Sequence, residues 1–153
     1  MKRFHQLALC AVSAAVPLPA LAAEAFACIV EQAAGLAFDQ TTKSWQATTF
    51  KPNQTLVVKR PQASDPRTKG YKWIAVEPGS NIPKYLCEHE FSEDGGLLCK
   101  GLFGQLHLNH RTLRFLQVQT FGYVEGTTGQ LAAFNSREGD NTPYLAAGQC
   151  TRL

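Results

Sequence analysis

Short runs of alternating apolar and polar residues, broken by turn residues, dominate the chain and predict strands. SWQATTF (44–50) leads through KPNQ into TLVVKR (55–60), and KWIAVE (72–77) leads into PGSNIP. YLCEHEF (85–91), LLCKGLF (97–103), QLHLN (105–109), TLRFLQVQTFGYV (112–124) and TPYLAAGQC (142–150) continue the series. Only EAFACIVEQAAGLAF (24–38) has the length of a helix. Its apolar residues are too dense to show a 3.6-residue period, and Phe26–Glu31 reads as a first strand. GLAFD (35–39) then pairs with SWQATTF across QTTK. PQASDPRTKG (61–70), with two prolines and mixed charge, reads as a long exposed loop.

Some of these runs are apolar on both faces. In YKWIAVE, Tyr71, Trp73 and Ala75 share one side while Ile74 and Val76 share the other. In TLRFLQV, Leu113 and Phe115 lie opposite Leu116 and Val118. A sheet with one wet face alternates more cleanly, so burial on both sides points to a closed barrel capped by loops or to two packed sheets. The expected fold is all-β: an antiparallel meander of roughly seven to nine strands forming a small barrel or sandwich.

The N-terminus sets the compartment. Lys2 and Arg3 precede an apolar run from Leu7 to Val16, which is too short to span a bilayer. Pro17 and Pro19 follow, then Ala20-Leu21-Ala22-Ala23, which fits a signal-peptide cleavage site. The expectation is a cleaved signal at 1–23, a single β-rich domain at 24–153, and a periplasmic or secreted location. No later stretch has the ~18 apolar residues of a membrane helix. Cleavage removes Cys10 and leaves Cys28, Cys87, Cys99 and Cys150, an even set suited to disulfides in an oxidising compartment.

Four cysteines allow three connectivities, and hairpin geometry favours one. Along residues 85–91, Tyr85, Cys87, His89 and Phe91 share a face. If Ser92-Glu93-Asp94 form the loop with Gly95 beside it, Cys87 and Cys99 are directly opposed, at a spacing a disulfide tolerates. Cys28 and Cys150 then pair by elimination and clasp the chain ends. Both bonds supplement a core that a chain of this size builds on its own.

Charge excludes one class of partner. The chain has 15 Lys and Arg against 12 Asp and Glu, and the signal takes two of the basic residues. A near-neutral domain has no electrostatic basis for binding nucleic acid or an anionic membrane.

Little chemistry emerges from the motifs. Cys87, His89, Cys99, His107 and His110 do not reproduce the close ligand pairs of a zinc site, and the disulfide reading removes both thiolates. Glu88 and Glu90 point the same way on one strand, as a carboxylate pair for acid–base work would, but also as an ordinary solvated face does. No nucleophile elbow, phosphate loop or dinucleotide motif is present. No catalytic residue, metal or cofactor is therefore assigned. Asn53-Gln54-Thr55 is a glycosylation sequon, meaningful only in a host that glycosylates. Among the aromatics, Tyr123 and Tyr144, beside Gly122 and Pro143, and Trp73 are the candidates for a binding patch.

The C-terminal text NHRTLRFLQVQTFGYV…GDNTPYLAAGQCTRL, with the earlier W…F…VVK…W and the paired cysteines, resembles a family of small exported proteobacterial proteins. The resemblance implies export and brings no activity with it. In architecture alone the chain is similar to periplasmic lysozyme inhibitors and lipocalin-like carriers, with no inhibitory loop motif to carry over. Two functions follow as expectations: a non-enzymatic module that binds or inhibits another protein, or a carrier holding a small apolar ligand inside the barrel.

Overall fold

The computed structural model describes residues 24–120 and 142–153. The predicted signal segment and Tyr123 lie outside them. The described residues form nine strands in order: β1 (Ala25–Asp39), β2 (Ser44–Phe50), β3 (Thr55–Lys59), β4 (Trp73–Val76), β5 (Pro83–Cys87), β6 (Gly96–Gly101), β7 (Gly104–Asn109), β8 (Arg114–Gln119) and β9 (Tyr144–Arg152). Every pairing is antiparallel. The strands form one sheet in the order β2-β1-β3-β4-β5-β6-β7-β8-β9, and β1 also pairs with β9. That last pairing closes eight strands into a barrel and leaves β2 outside it, so the fold is the barrel and not the sandwich.

Strand alternation fills the barrel. Phe26, Cys28 and Val30 of β1 face inward with Leu56 and Val58 of β3, and Trp73 and Ala75 of β4. Tyr85 and Cys87, Leu97 and Cys99, Leu106 and Leu108, then Phe115, Ala146 and Cys150 complete one contiguous core. Eight strands enclose a space just wide enough for such side chains. The two-sided apolar reading of β4 is correct, since all four of its residues are buried. Ile74 and Val76 lie on its outer side. The loop after β3 carries a 3₁₀ turn (Pro66–Thr68), and Arg67 reaches from it to the Asn81 carbonyl beyond the far end of β4.

Both disulfides form as the register predicts. Cys28–Cys150 joins directly opposed residues of β1 and β9 and so staples the seam at which the barrel closes. Cys87–Cys99 joins β5 and β6, whose Leu86↔Lys100 pairing is the register expected of the hairpin. Gly95, at φ 89°, takes the left-handed position beside the loop.

Several expectations needed correction. Residues 24–38 hold one long strand, β1, instead of two short ones, because a bulge at Glu31 shifts the register between Val30 and Gln32. Before the bulge, Phe26, Cys28 and Val30 face the core; after it, Ala33 pairs with the buried Ala146. The strand expected over 85–91 stops at Cys87, and beyond it Phe91 folds across the barrel end onto Phe26 and Trp73. The strand expected from Thr112 starts at Arg114. There Asn109 Oδ1 accepts from the Arg111 and Thr112 amides and makes a tight turn ending at Leu113, φ 57°.

Candidate functional site

The two ends of the barrel differ in chemistry. At one end Phe91 stacks against Trp73 (5.0 Å between ring centroids) and Phe26 (5.7 Å), and His110 lies over Phe91 (4.7 Å). Trp73, fully buried, donates its indole N–H to Glu90 at 2.9 Å, and Arg60 covers its ring while pairing with the same carboxylate. The hydrogen bond from Arg60 is the main reason the Glu90 carboxyl sits below its usual range. Trp73 is therefore an interior plug and not a surface for a partner. Glu88 and Glu90 do not form a carboxylate pair, since the chain leaves the strand after Cys87 and Glu90 is committed to Arg60 and Trp73.

At the other end the Tyr144 hydroxyl accepts from Gln54 Nε2 and Gln117 Nε2, both at 3.2 Å. Gln117 is fully buried, and Tyr85 lies beside this group. Burial pushes the Tyr85 hydroxyl pKa up, the nearby Tyr144 adds to the shift, and contact with Gln117 partly opposes it. Tyr85 Oη, Gln117 Oε1 and Gln54 Oε1 are buried without a hydrogen-bond partner among the described residues. A cleft of about 280 Å³ opens here, lined by Val30, Ala33, Phe50, Gln54, Tyr144 and Ala146. Small-molecule sites occupy ~300–1,000 Å³, so this recess sits just below that range, and behind it the inward side chains form one contiguous core.

The outer wall is different. Leu98, His107, Leu116 and Ala147 are successive cross-strand partners on β6 to β9 and form one lateral row facing out. A shallow depression of about 580 Å³ lies over this row, lined by His89, His107, Arg114 and Leu116 among others. The next row runs Val118, Leu145, Ala34 and Thr49 across β8, β9, β1 and β2. Leu36↔Ala47 and Phe38↔Trp45 extend it along β1 and β2. Leu145, Leu36 and Trp45 are 52 %, 47 % and 44 % exposed. Scattered apolar residues on a surface are ordinary, but contiguous ones rimmed by polar side chains mark interaction sites.

The last part of this surface is a projecting arm. Ladder pairing of β9 with β1 ends at Tyr144↔Gly35, and Leu36 N–H makes one more bond to the Pro143 carbonyl. From Ala37 to Asp39, β1 pairs only with β2 among the described residues. Asp39 builds the tip: its Oδ1 accepts from the Thr41 amide at 2.7 Å and the Thr42 amide at 3.2 Å, and its Oδ2 from Gln46 Nε2. Those backbone amides hold the Asp39 carboxyl below its usual range. Phe38 and Trp45 meet edge-to-face at 5.2 Å near the tip.

Of the residues singled out from sequence, Tyr144 lines the end cleft, Trp73 is interior and Tyr123 is not described. Leu36, Phe38, Trp45 and Leu145 were not singled out as a surface. The signal for them was present in SWQATTF, whose Trp45, Ala47 and Thr49 alternate with polar residues on a strand that carries no charge. Among the described residues, no three His, Cys, Asp or Glu side chains gather as metal ligands would, and no helix is long and apolar enough to cross a membrane. No family model, no curated protein and no solved structure matches the chain.

Proposed function

We propose that the protein is an exported, non-enzymatic module that binds another protein through its outer wall and projecting arm. The observation that carries this reading is the exposed apolar surface from Leu116 through Leu145 and Leu36 to Trp45, outside a barrel whose interior is already occupied. Protein interfaces draw their energy from aromatic and large apolar anchors of this kind. Export is supported by the signal-like N-terminus and by two disulfides, which persist in oxidising compartments. The carrier alternative has less support, because the inward side chains of the described strands form one contiguous core and the cleft at its end measures only about 280 Å³.

A photo-reactive residue placed at Trp45 in the producing cells tests the proposal, with Lys69 on an exposed loop as control. A discrete protein adduct at position 45, absent at position 69, is the expected result. No adduct at 45, or the same adducts at both positions, overturns it.

A further inference from the structure

The open edge of the arm narrows the partner's chemistry. Among the described residues β2 hydrogen-bonds only to β1, so every second residue from Ser44 to Phe50 turns its N–H and C=O away from the described sheet. Folded proteins normally block such an edge with charge, proline or a bulge. Ser44-Trp45-Gln46-Ala47-Thr48-Thr49-Phe50 has no charge and no proline, and its pairing with β1 is continuous. Four of its first five residues are exposed. The charges stand just outside, at Lys43 and Lys51, and neither is ion-paired among the described residues. At roughly 3.3 Å per residue they bracket an uncharged edge ~27 Å long. Asp39, the nearby carboxylate at the tip, is occupied by the turn amides and Gln46.

We infer that this edge accepts an extended segment of another protein by strand addition. Main-chain bonds to β2 supply the affinity, as in other strand-addition complexes. The segment is about seven residues long and uncharged in its middle. Its alternate residues are apolar, to lie beside Trp45 and Ala47 on the exposed face. Carboxylates at both of its ends meet Lys43 and Lys51. A second copy of this chain fits less well: antiparallel pairing centred on Ala47 sets each Lys43 against the other copy's Lys51, and opposed like charges disfavour a ladder. This inference rests on the proposed protein-binding role and adds to it the mode of docking and the partner's charge.

Fluorescence anisotropy with two labelled peptides tests it on the full chain. Both carry the core Thr-Val-Thr-Val-Thr-Val-Thr, one between glutamates and one between lysines. The glutamate peptide is expected to bind at least tenfold more tightly, and the joint variant Lys43→Glu with Lys51→Glu to reverse the order. Ala47→Pro and Thr48→Pro probe the edge itself. Neighbouring residues alternate in direction, so one of the two removes an outward amide and leaves the β1 ladder intact. The variant that keeps the parent's thermal transition is expected to lose peptide binding; should both unfold, the lysine reversal decides. Equal binding of the two peptides, or binding that survives in the folded proline variant, overturns the inference. A concentration-dependent dimer in sedimentation that the folded proline variant abolishes also overturns it, in favour of a second copy. If the position-45 adduct persists in that variant, the wall binds without strand addition and only this inference fails. If the unmodified chain gives no adduct, the broader role fails as well.

Discussion

The two disulfides close loops of very different length, and that difference is measurable. Cys28 and Cys150 are 122 residues apart, Cys87 and Cys99 only 12. On the chain-entropy account, a cross-link restricts the unfolded ensemble by an amount that grows with the logarithm of the loop, giving about 5 kcal/mol for the first and about 3 kcal/mol for the second. All four cysteines are buried, at 5 % exposure or less. Paired Cys→Ala changes therefore remove similar sulfur volumes, and the difference between the two pairs isolates the loops. For a domain of this size, unfolding entropy near 60 °C is about 0.27 kcal/mol/K. The expected falls in Tm are thus ~18 °C for Cys28→Ala with Cys150→Ala, and ~10 °C for Cys87→Ala with Cys99→Ala. Urea and thermal unfolding, followed by far-UV circular dichroism and by tryptophan fluorescence, give both values. Equal losses, or a larger loss at the short staple, would refute the assignment of the Cys28–Cys150 bond as the dominant constraint on the barrel seam.

Three further outcomes follow from the packing. Gly148 faces Val30 across the seam, and a β-carbon there runs into the Ile29 carbonyl beside the Glu31 bulge, so Gly148→Ala is expected to cost about 1–3 kcal/mol in denaturant titrations. Trp73→Ala empties the core and is expected to cost ~3–5 kcal/mol, whereas the half-exposed Trp45→Ala should stay within ~1 kcal/mol, by the same titrations. The Tyr85 hydroxyl ionises near pH 10 when unfolded and at higher pH when folded, so above pH 10 the native state holds more protons than the unfolded one. That contribution to stability is complete below pH 10 and declines above it. Unfolding midpoints should fall more steeply with pH in the parent than in Tyr85→Phe, and parallel curves would reject the buried hydroxyl as the cause.

The barrel was largely legible because its rules are local. Period-two patterning placed β2, β3 and β4, and the constant index sum of a hairpin aligned Cys87 with Cys99. Where reading failed, a tertiary event overrode the pattern. The bulge at Glu31 switches which residues of β1 face inward, so fifteen residues of one strand looked too dense for any period. Phe91 leaves its strand to cap the aromatic end, which no alternation rule anticipates. The site was harder still. Trp73 and Trp45 each stand in a short strand free of charged residues, yet one plugs the barrel and the other lies on the arm, because β4 is inside the closed ring and β2 is outside it. Closure through β1 and β9 decides that, and its traces in the sequence are the seam disulfide and the two-sided apolar pattern of β4.

The proposed function places binding on the outside of the barrel. Amide and methyl chemical-shift perturbation in the isotope-labelled chain, on titrating in the protein recovered by cross-linking at position 45, tests it most directly. Shifts are expected at Leu36, Trp45, Ala47 and Leu145, with Leu56, Leu106 and Gln117 unmoved. Shifts concentrated at Val30, Gln54, Tyr144 and the core, with the arm unaffected, would contradict it.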